Sequence, residues 1–222
     1  MRHELKHRIT YEDYLVISSR LRYIADFDSH AGADGLYRVH SLYFDNISDK
    51  ILREKLDGVC NREKFRIRYY NEDTSLIHLE KKSKIGGLGK KQSAGLTAAQ
   101  AQDIVNGSLD WMADSSEELI YELYVKMRTQ GLRPKTIVDY MREPFIFGPG
   151  NVRVTLDYHI RTGSCCGGFL NPDCPTIPAG ESPIILEVKW DSYLPDIIRD
   201  AVRLPGRRVT AFSKYAQCRI YG

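Results

Sequence analysis

The sequence predicts an α+β fold in which a sheet, packed on one face and basic on the other, is interleaved with capped helices. Two observations carry this. Six short stretches alternate with a period of two, apolar on one side and charged on the other, as strands with one packed face do. Between them lie helix-start and helix-stop signals. In residues 151–161 the odd positions are Asn151, Arg153, Thr155, Asp157, His159 and Arg161, whereas the even ones are Val152, Val154, Leu156, Tyr158 and Ile160. The same alternation runs through Arg2-Glu4-Lys6-Arg8, Lys64-Arg66-Arg68, Glu80-Lys82-Lys84, Tyr140-Arg142 and Glu187-Lys189.

Taken in order, Thr10 with Asp13 makes a capping-box pattern, and Tyr14, Ile17, Leu21 and Ile24 repeat at helical spacing. Residues 11–25 are therefore an amphipathic helix that covers a sheet face. A strand follows at 37–44 and a short helix at 48–56, broken at Gly58. Strands at 62–71 and 76–84 are joined by the polar turn Asn71-Glu72-Asp73-Thr74 as a hairpin. Thr97 with Gln100 opens a helix that Gly107 closes, and Ser115 with Glu118 opens a longer one that Gly131 closes. A second hairpin pairs 135–146 with 151–161 across Gly148-Pro149-Gly150. Residues 162–182, with Gly, Pro and three cysteines and no periodicity, read as a long, mobile loop. A strand at 183–190, a helix at 195–203 with Pro195 in its first turn and a terminal helix from about Ser213 complete the chain.

With 222 residues and 42% hydrophobic composition, the chain can bury a sizeable core. With no repeat and no linker to divide two cores, 1–222 reads as a single domain. No run reaches the ~18 apolar residues of a membrane span. The N-terminus opens on charge rather than on a signal peptide, so a cytoplasmic location is expected. The five cysteines, Cys60, Cys165, Cys166, Cys174 and Cys218, are an odd number without a disulfide framework and read as reduced thiols. His159 with Cys165, Cys166 and Cys174 is a poor zinc pattern, because two adjacent cysteines lack the usual spacer.

The charge is sorted rather than large. The net charge is only +3, from 32 basic and 29 acidic residues. Yet the polar strand faces carry Arg2, Lys6, Arg8, Lys64, Arg66, Arg68, Lys82, Lys84, Arg142, Arg153, Arg161 and Lys189 against only Glu4, Glu80, Asp157 and Glu187. Cations stacked at alternate positions repel one another unless an anion is present, and the planar fork of Arg matches phosphate oxygens. Glu4, Glu80 and Glu187 each stand two residues before a Lys. A carboxylate among lysines suits a hard divalent cation shared with substrate phosphates. Phosphoryl transfer needs that combination of charge stabilisation and positioning. Lys90 and Lys91, after Gly86, Gly87 and Gly89, read as part of a flexible basic loop; the spacing is not that of a P-loop.

These residues carry a family resemblance. Arg2-His3-Glu4-Leu5-Lys6, Ser41-Leu42-Tyr43-Phe44-Asp45, Phe65-Arg66-Ile67-Arg68-Tyr69-Tyr70 and Leu79-Glu80-Lys81-Lys82 resemble successive motifs of the VTC domain. So do Tyr140-Met141-Arg142-Glu143-Pro144-Phe145, Arg153-Val154-Thr155-Leu156-Asp157, Leu186-Glu187-Val188-Lys189 and Ser213-Lys214-Tyr215. That domain is the polyphosphate polymerase domain of the vacuolar transporter chaperone family, within the triphosphate tunnel metalloenzyme (CYTH-like) superfamily. The resemblance implies a closed antiparallel β-barrel with a charged interior and helices outside. It also implies transfer of the terminal phosphate of ATP to a growing polyphosphate chain with release of ADP, using Mn2+ or Mg2+. By the same resemblance Lys6, Arg66, Arg68, Lys82, Arg142 and Lys189 grip phosphates, and all of them but Lys6 also carry catalysis. Glu187 holds the metal and belongs to the catalytic set, Ser213 and Lys214 contact phosphate, and Arg153 and Tyr140 are further substrate contacts. At Ser213 and Lys214 free N–H groups of a helix start add to the attraction for an anion.

One departure matters. The hydrolases of the superfamily open with Glu-x-Glu-x-Lys, but Arg2 stands where the first Glu belongs, which weakens a two-metal triphosphatase. The alternatives are a hydrolase of triphosphate or nucleoside triphosphate and a non-catalytic polyphosphate-binding module. The expected partners are ATP and polyphosphate. Nucleic acid is not expected, because the basic residues share one concave interior without an open groove of stacking aromatics.

Overall fold

The computed structural model describes residues 2–28, 30–86, 88–181, 183–204, 206 and 209–221. In chain order its elements begin with β1 (His3–Ile9), α1 (Tyr11–Ile24), β2 (Asp26–Phe27), β3 (Tyr37–Asp45) and α2 (Lys50–Leu56). Next come β4 (Arg62–Tyr70), β5 (Asp73–Ile85), β6 (Leu88–Leu96), α3 (Ala98–Asn106) and α4 (Glu118–Gln130). The chain ends with β7 (Arg133–Phe147), β8 (Val152–Gly163), β9 (Ile177–Pro178), β10 (Ile184–Trp190), α5 (Asp196–Ala201) and α6 (Lys214–Tyr221). The fold is α+β. Hydrogen bonding orders the strands β1-β10-β8-β7-β3-β4-β5-β6, with β2 on β7 and β9 on β8, and every pairing with a resolved register is antiparallel.

The expected closed barrel is not what forms. Among the described residues no ladder joins β6 to β1, so the sheet is open. The outer edge of β1 is instead taken by a short segment, where His7 bridges Val209 and the Thr210 N–H donates to the Lys6 carbonyl at 2.8 Å. At the other end β6 carries Lys90 and Lys91 beside Gly89, a basic edge that discourages pairing with another strand.

Residues cluster into two compact units, built from 1–38, 140–160 and 181–213, and from 39–139, 161–180 and 214–222. In the first, Ile17 and Leu21 of α1 and Ile198 and Ala201 of α5 share a core with Val152, Val154, Leu156, Leu186 and Val188. These are the even-numbered residues of β8 and the alternate residues of β10, so the period-two pattern chooses the packed face. Thr10 and Asp13 close the expected capping box, with N···O distances of 3.0 and 3.3 Å. On the helix side Glu143 is fully buried, yet it accepts from Ser18 at 2.9 Å and Arg22 at 2.5 Å, which ties α1 to β7. The β7–β8 turn needs glycine at Gly150, where φ is 75° and a Cβ would stand 2.4 Å from the Tyr193 carbonyl.

In the second unit β4, β5 and β6 form a meander whose apolar side, including Phe65, Ile67, Ile77 and Leu79, is buried. Lys81 also lies on that side, pairing with Glu63 at 3.0 Å and with Glu122 of α4, while Lys126 reaches Glu63. α3 opens with the Thr97–Gln100 capping box and ends at Gly107 in the left-handed region.

Several expectations need correction. α4 starts at Glu118, whereas Ser115 only accepts the Glu117 N–H in a local turn, so the Ser115–Glu118 pattern is not its cap. The basic loop that was to carry Lys90 and Lys91 is a strand, β6, paired along its own length with residues 77–85 of β5; Gly87 lies outside the described residues. Small residues in β6 had hidden its alternation. Residues 162–182 are also more ordered than a loop. β8 continues to Gly163, β9 pairs with it, and Phe169 and Ala179 are fully buried. The β8 pattern itself fails at His159, whose φ of 50° breaks the extended run.

Leu156→Asp tests the assignment of faces. It sets an unpaired carboxylate in the core and should cost about 4 kcal/mol or more, leaving little folded protein in a thermal melt followed by circular dichroism. A soluble variant with an unchanged midpoint would mean the faces are reversed.

Candidate functional site

The polar face of the first unit is a grid set by strand register. Glu187 of β10 stands opposite Lys6 of β1 on one side and Thr155 of β8 on the other, and Lys189 stands opposite Glu4 and Arg153. Three cations converge on the buried Glu187: Lys6 at 3.2 Å, Lys189 at 3.1 Å and Arg142 at 4.0 Å. Lys6 also pairs with Glu4 at 2.6 Å. Arg142 grips the fully buried Asp157 with both arms of its fork, at 2.6 and 2.8 Å, while its guanidinium lies over the Tyr140 ring. Arg153 is held by Asp28 at 2.7 Å and the Tyr37 hydroxyl at 2.8 Å. The face expected to be wet is thus partly closed, because its acids and bases bury one another.

The second unit repeats the arrangement. The hairpin register places Tyr43, Arg66, Glu80 and Ser93 in one row and Lys64, Lys82 and Lys91 in the next. The buried Glu80 receives Arg66 at 2.6 Å, Lys91 at 2.6 Å and Arg68 at 4.0 Å. Arg66 also donates to the Tyr43 hydroxyl at 2.8 Å and Arg68 to Ser41 at 2.9 Å. Lys64 lies over the Tyr43 ring, which stacks on Tyr215.

Three cations share each of these two carboxylates, although in the first cluster Glu4, Asp157 and Asp28 balance the charge, and the titration shifts follow. Burial alone would raise Glu80, but Arg66, Arg68 and Lys91 outweigh it and hold the carboxyl at about 2. Burial would likewise raise Tyr43, yet Arg66, Lys64 and Arg68 bring the phenol down to about 7. Lys6 keeps its charge above the ordinary lysine range, because Glu187 and Glu4 overcome its burial. Lys189 has only a share of those carboxylates and faces Arg142 as well, so burial depresses it to about 8.

Of the residues singled out in the sequence, Lys6, Tyr140, Arg142, Arg153, Glu187 and Lys189 come together in the first cluster, and Arg66 and Arg68 in the second. Lys82 sits on the same face as that second cluster, between Lys64 and Lys91 in register, and is more exposed. Ser213 and Lys214 stand at the start of α6. The sequence reading gave Tyr43 and Asp157 no site role and took Glu80 only as a carboxylate beside a lysine, not as the partner of Arg66. Counting back from the turn, where Tyr70 pairs with Asp73, would set Arg66 opposite Ile77; the register shift between Arg68 and Tyr70 brings Glu80 there instead.

Glu187 offers hard oxygen donors of the kind manganese and magnesium take. Among the described residues no three His, Cys, Asp or Glu side chains form a ready cage. With Glu187 alone as donor, a divalent cation would take its remaining ligands from outside the protein. No helix among the described residues is long and apolar enough to cross a membrane.

Two predictions follow from the electrostatics. Because Glu80 titrates lower folded than unfolded, its contribution is full above about pH 4.3 and is lost as pH falls through about 2. Glu80→Gln should cost roughly 3 kcal/mol at neutral pH and flatten the acid limb of the stability profile; an unchanged limb contradicts the assignment. Lys189 titrates lower folded than unfolded, so its charge opposes folding below about pH 8 and less so above it. Lys189→Met should raise the melting midpoint at pH 7, with the gap closing as pH climbs beyond 8.

The chain has no match among curated proteins. Among solved structures it resembles the Bacillus halodurans protein bh2851, a proposed adenylate cyclase, at 13% identity over 85% of this chain and 80% of that one, with a TM-score of 0.54. PH1819 from Pyrococcus horikoshii OT3 is a weaker likeness, at 16% identity over 91% and 84% of the two chains and a TM-score of 0.43. At such identities the likeness to bh2851 concerns the fold alone. The model of the VTC domain matches residues 1–221, and the chain therefore belongs to the VTC domain family.

Proposed function

We propose that this chain is an ATP-dependent polyphosphate polymerase, acting as one functional domain on ATP and a growing polyphosphate chain. The observation that carries the reading is the convergence of Lys6, Lys189 and Arg142 on Glu187, in a chain of the VTC domain family. Phosphate oxygens can replace a carboxylate as the partner of such cations, and in the second cluster, where Arg66, Arg68 and Lys91 share Glu80, the excess positive charge favours the exchange. An open sheet serves as well as a closed barrel for this, since each cluster is complete within its own strands.

In the reaction a terminal oxygen of the polyphosphate attacks the γ-phosphorus of ATP, the bond from that phosphorus to the β,γ-bridging oxygen breaks, and ADP leaves. Little covalent help is needed. Arg142 and Lys189 in the first cluster, and Arg66, Arg68 and Lys82 in the second, neutralise phosphate oxygens, and Lys6 and Arg153 hold neighbouring phosphates. Tyr140 orients Arg142 by lying under it, and Ser213 and Lys214 receive a phosphate at the start of α6. Glu187 is the residue that would hold a bound Mn2+ or Mg2+, which would supply further charge neutralisation.

Purified protein incubated with ATP and manganese should release ADP and give a polyphosphate ladder on a gel. Free phosphate without chain growth would instead identify a hydrolase, and tight polyphosphate binding without turnover a non-catalytic module. Arg66→Ala should lower kcat/KM by about a hundredfold or more while leaving a folded protein, because Lys91 and Arg68 still satisfy Glu80. Unchanged turnover would remove Arg66 from the site.

A further inference from the structure

On the polar face of the first unit, two donors lack the partners that burial demands. The Thr155 hydroxyl is fully enclosed, its residue only 2% exposed, and it makes no hydrogen bond; the Nε of Arg153, two residues earlier on the same face of β8, also has none. Everything near Thr155 on this face is otherwise matched. Glu187, opposite it in register, holds Lys6 and Lys189, and Asp157, the next residue on the face, holds Arg142. A buried hydroxyl without a partner is destabilising and uncommon in native proteins. Its residue is also not needed for its shape alone, since valine has the same branching and favours strands equally.

We propose that the Thr155 hydroxyl is a ligand-binding group that donates a hydrogen bond to a phosphate oxygen of the bound substrate, beside the Nε–H of Arg153. The inference rests on the phosphate reading above and adds to it a residue that charge patterning cannot reveal. The cations gathered on Glu187 are those a phosphate chain competes for. When Lys6, Lys189 and Arg142 turn to phosphate, the space opposite Glu187 opens and the hydroxyl comes within reach. Thr155 then acts as an uncharged contact: it selects for position, whereas the surrounding cations select for charge.

The test is titration calorimetry with tripolyphosphate on the unsubstituted protein, Thr155→Val and Thr155→Ser, alongside thermal melts without ligand. Thr155→Val should weaken binding by about tenfold or more, as losing a hydrogen bond to a charged group does, and the ligand-free midpoint should hold or rise. Thr155→Ser should stay near the original affinity. If the valine variant proves unstable, Thr155→Ala against Thr155→Ser makes the same comparison, since both lack the methyl and only serine keeps the hydroxyl. Equal affinity in the variants with and without the hydroxyl overturns the inference and leaves the phosphate reading intact. Failure of the unsubstituted protein to bind tripolyphosphate removes both.

Discussion

Each unit seats three cations on one buried carboxylate, and much of the fold serves to keep that ratio. A buried charge without partners costs several kcal/mol, whereas a carboxylate ringed by Arg and Lys is tolerated because its neighbours supply both charge and hydrogen bonds. The reverse does not hold: around Glu187 and Glu80 the cations share one anion. Their mutual repulsion is contained because four of the six are also held elsewhere, Arg142 by Asp157, Arg66 by Tyr43, Arg68 by Ser41 and Lys6 by Glu4. These second partners fix geometry as well as charge, so the forks of the arginines are set before any ligand arrives.

The two sides of the sheet solve opposite problems with the same residue types. On the helix side, Glu143 with Arg22 and Lys81 with Glu63 and Glu122 are balanced pairs that fasten helices to strands. On the polar side the cations of the second cluster outnumber its acids. Lys189, pressed below its usual pKa, marks where a positive charge is kept against its own preference. Such a group lowers the stability of the free protein and is the natural first contact for an anion.

Much of this was legible in the chain before any coordinates. The faces of β8 and β10 followed from period-two alternation, because a sheet that buries Leu156 and Leu186 must present Arg153 and Glu187 on the other side. Capping boxes placed α1 and α3 for the same local reason. What was hidden depended on pairing. β6 has too many small residues for its alternation to show, and only its ladder with β5 makes it a strand and brings Lys91 to Glu80. The Ser115–Glu118 pattern misled because the serine hydroxyl accepts from the Glu117 N–H, two residues on, rather than from a helix-opening one. The open sheet could not be read from motifs at all: closure depends on what occupies the edge of β1, and Val209 and Thr210 do so.

The two compact units are each assembled from three separate stretches of chain, so the backbone passes from one to the other five times. Neither can therefore be synthesised as a continuous fragment, and neither can finish folding on the ribosome before most of the chain has emerged. β1 must wait for β10, more than 170 residues later in sequence, to find its partner. Pairings of that separation close large loops and are slow to form. The arrangement that divides the basic charges between two clusters thus also makes the chain late to mature, with its basic strands exposed to any polyanion while it folds.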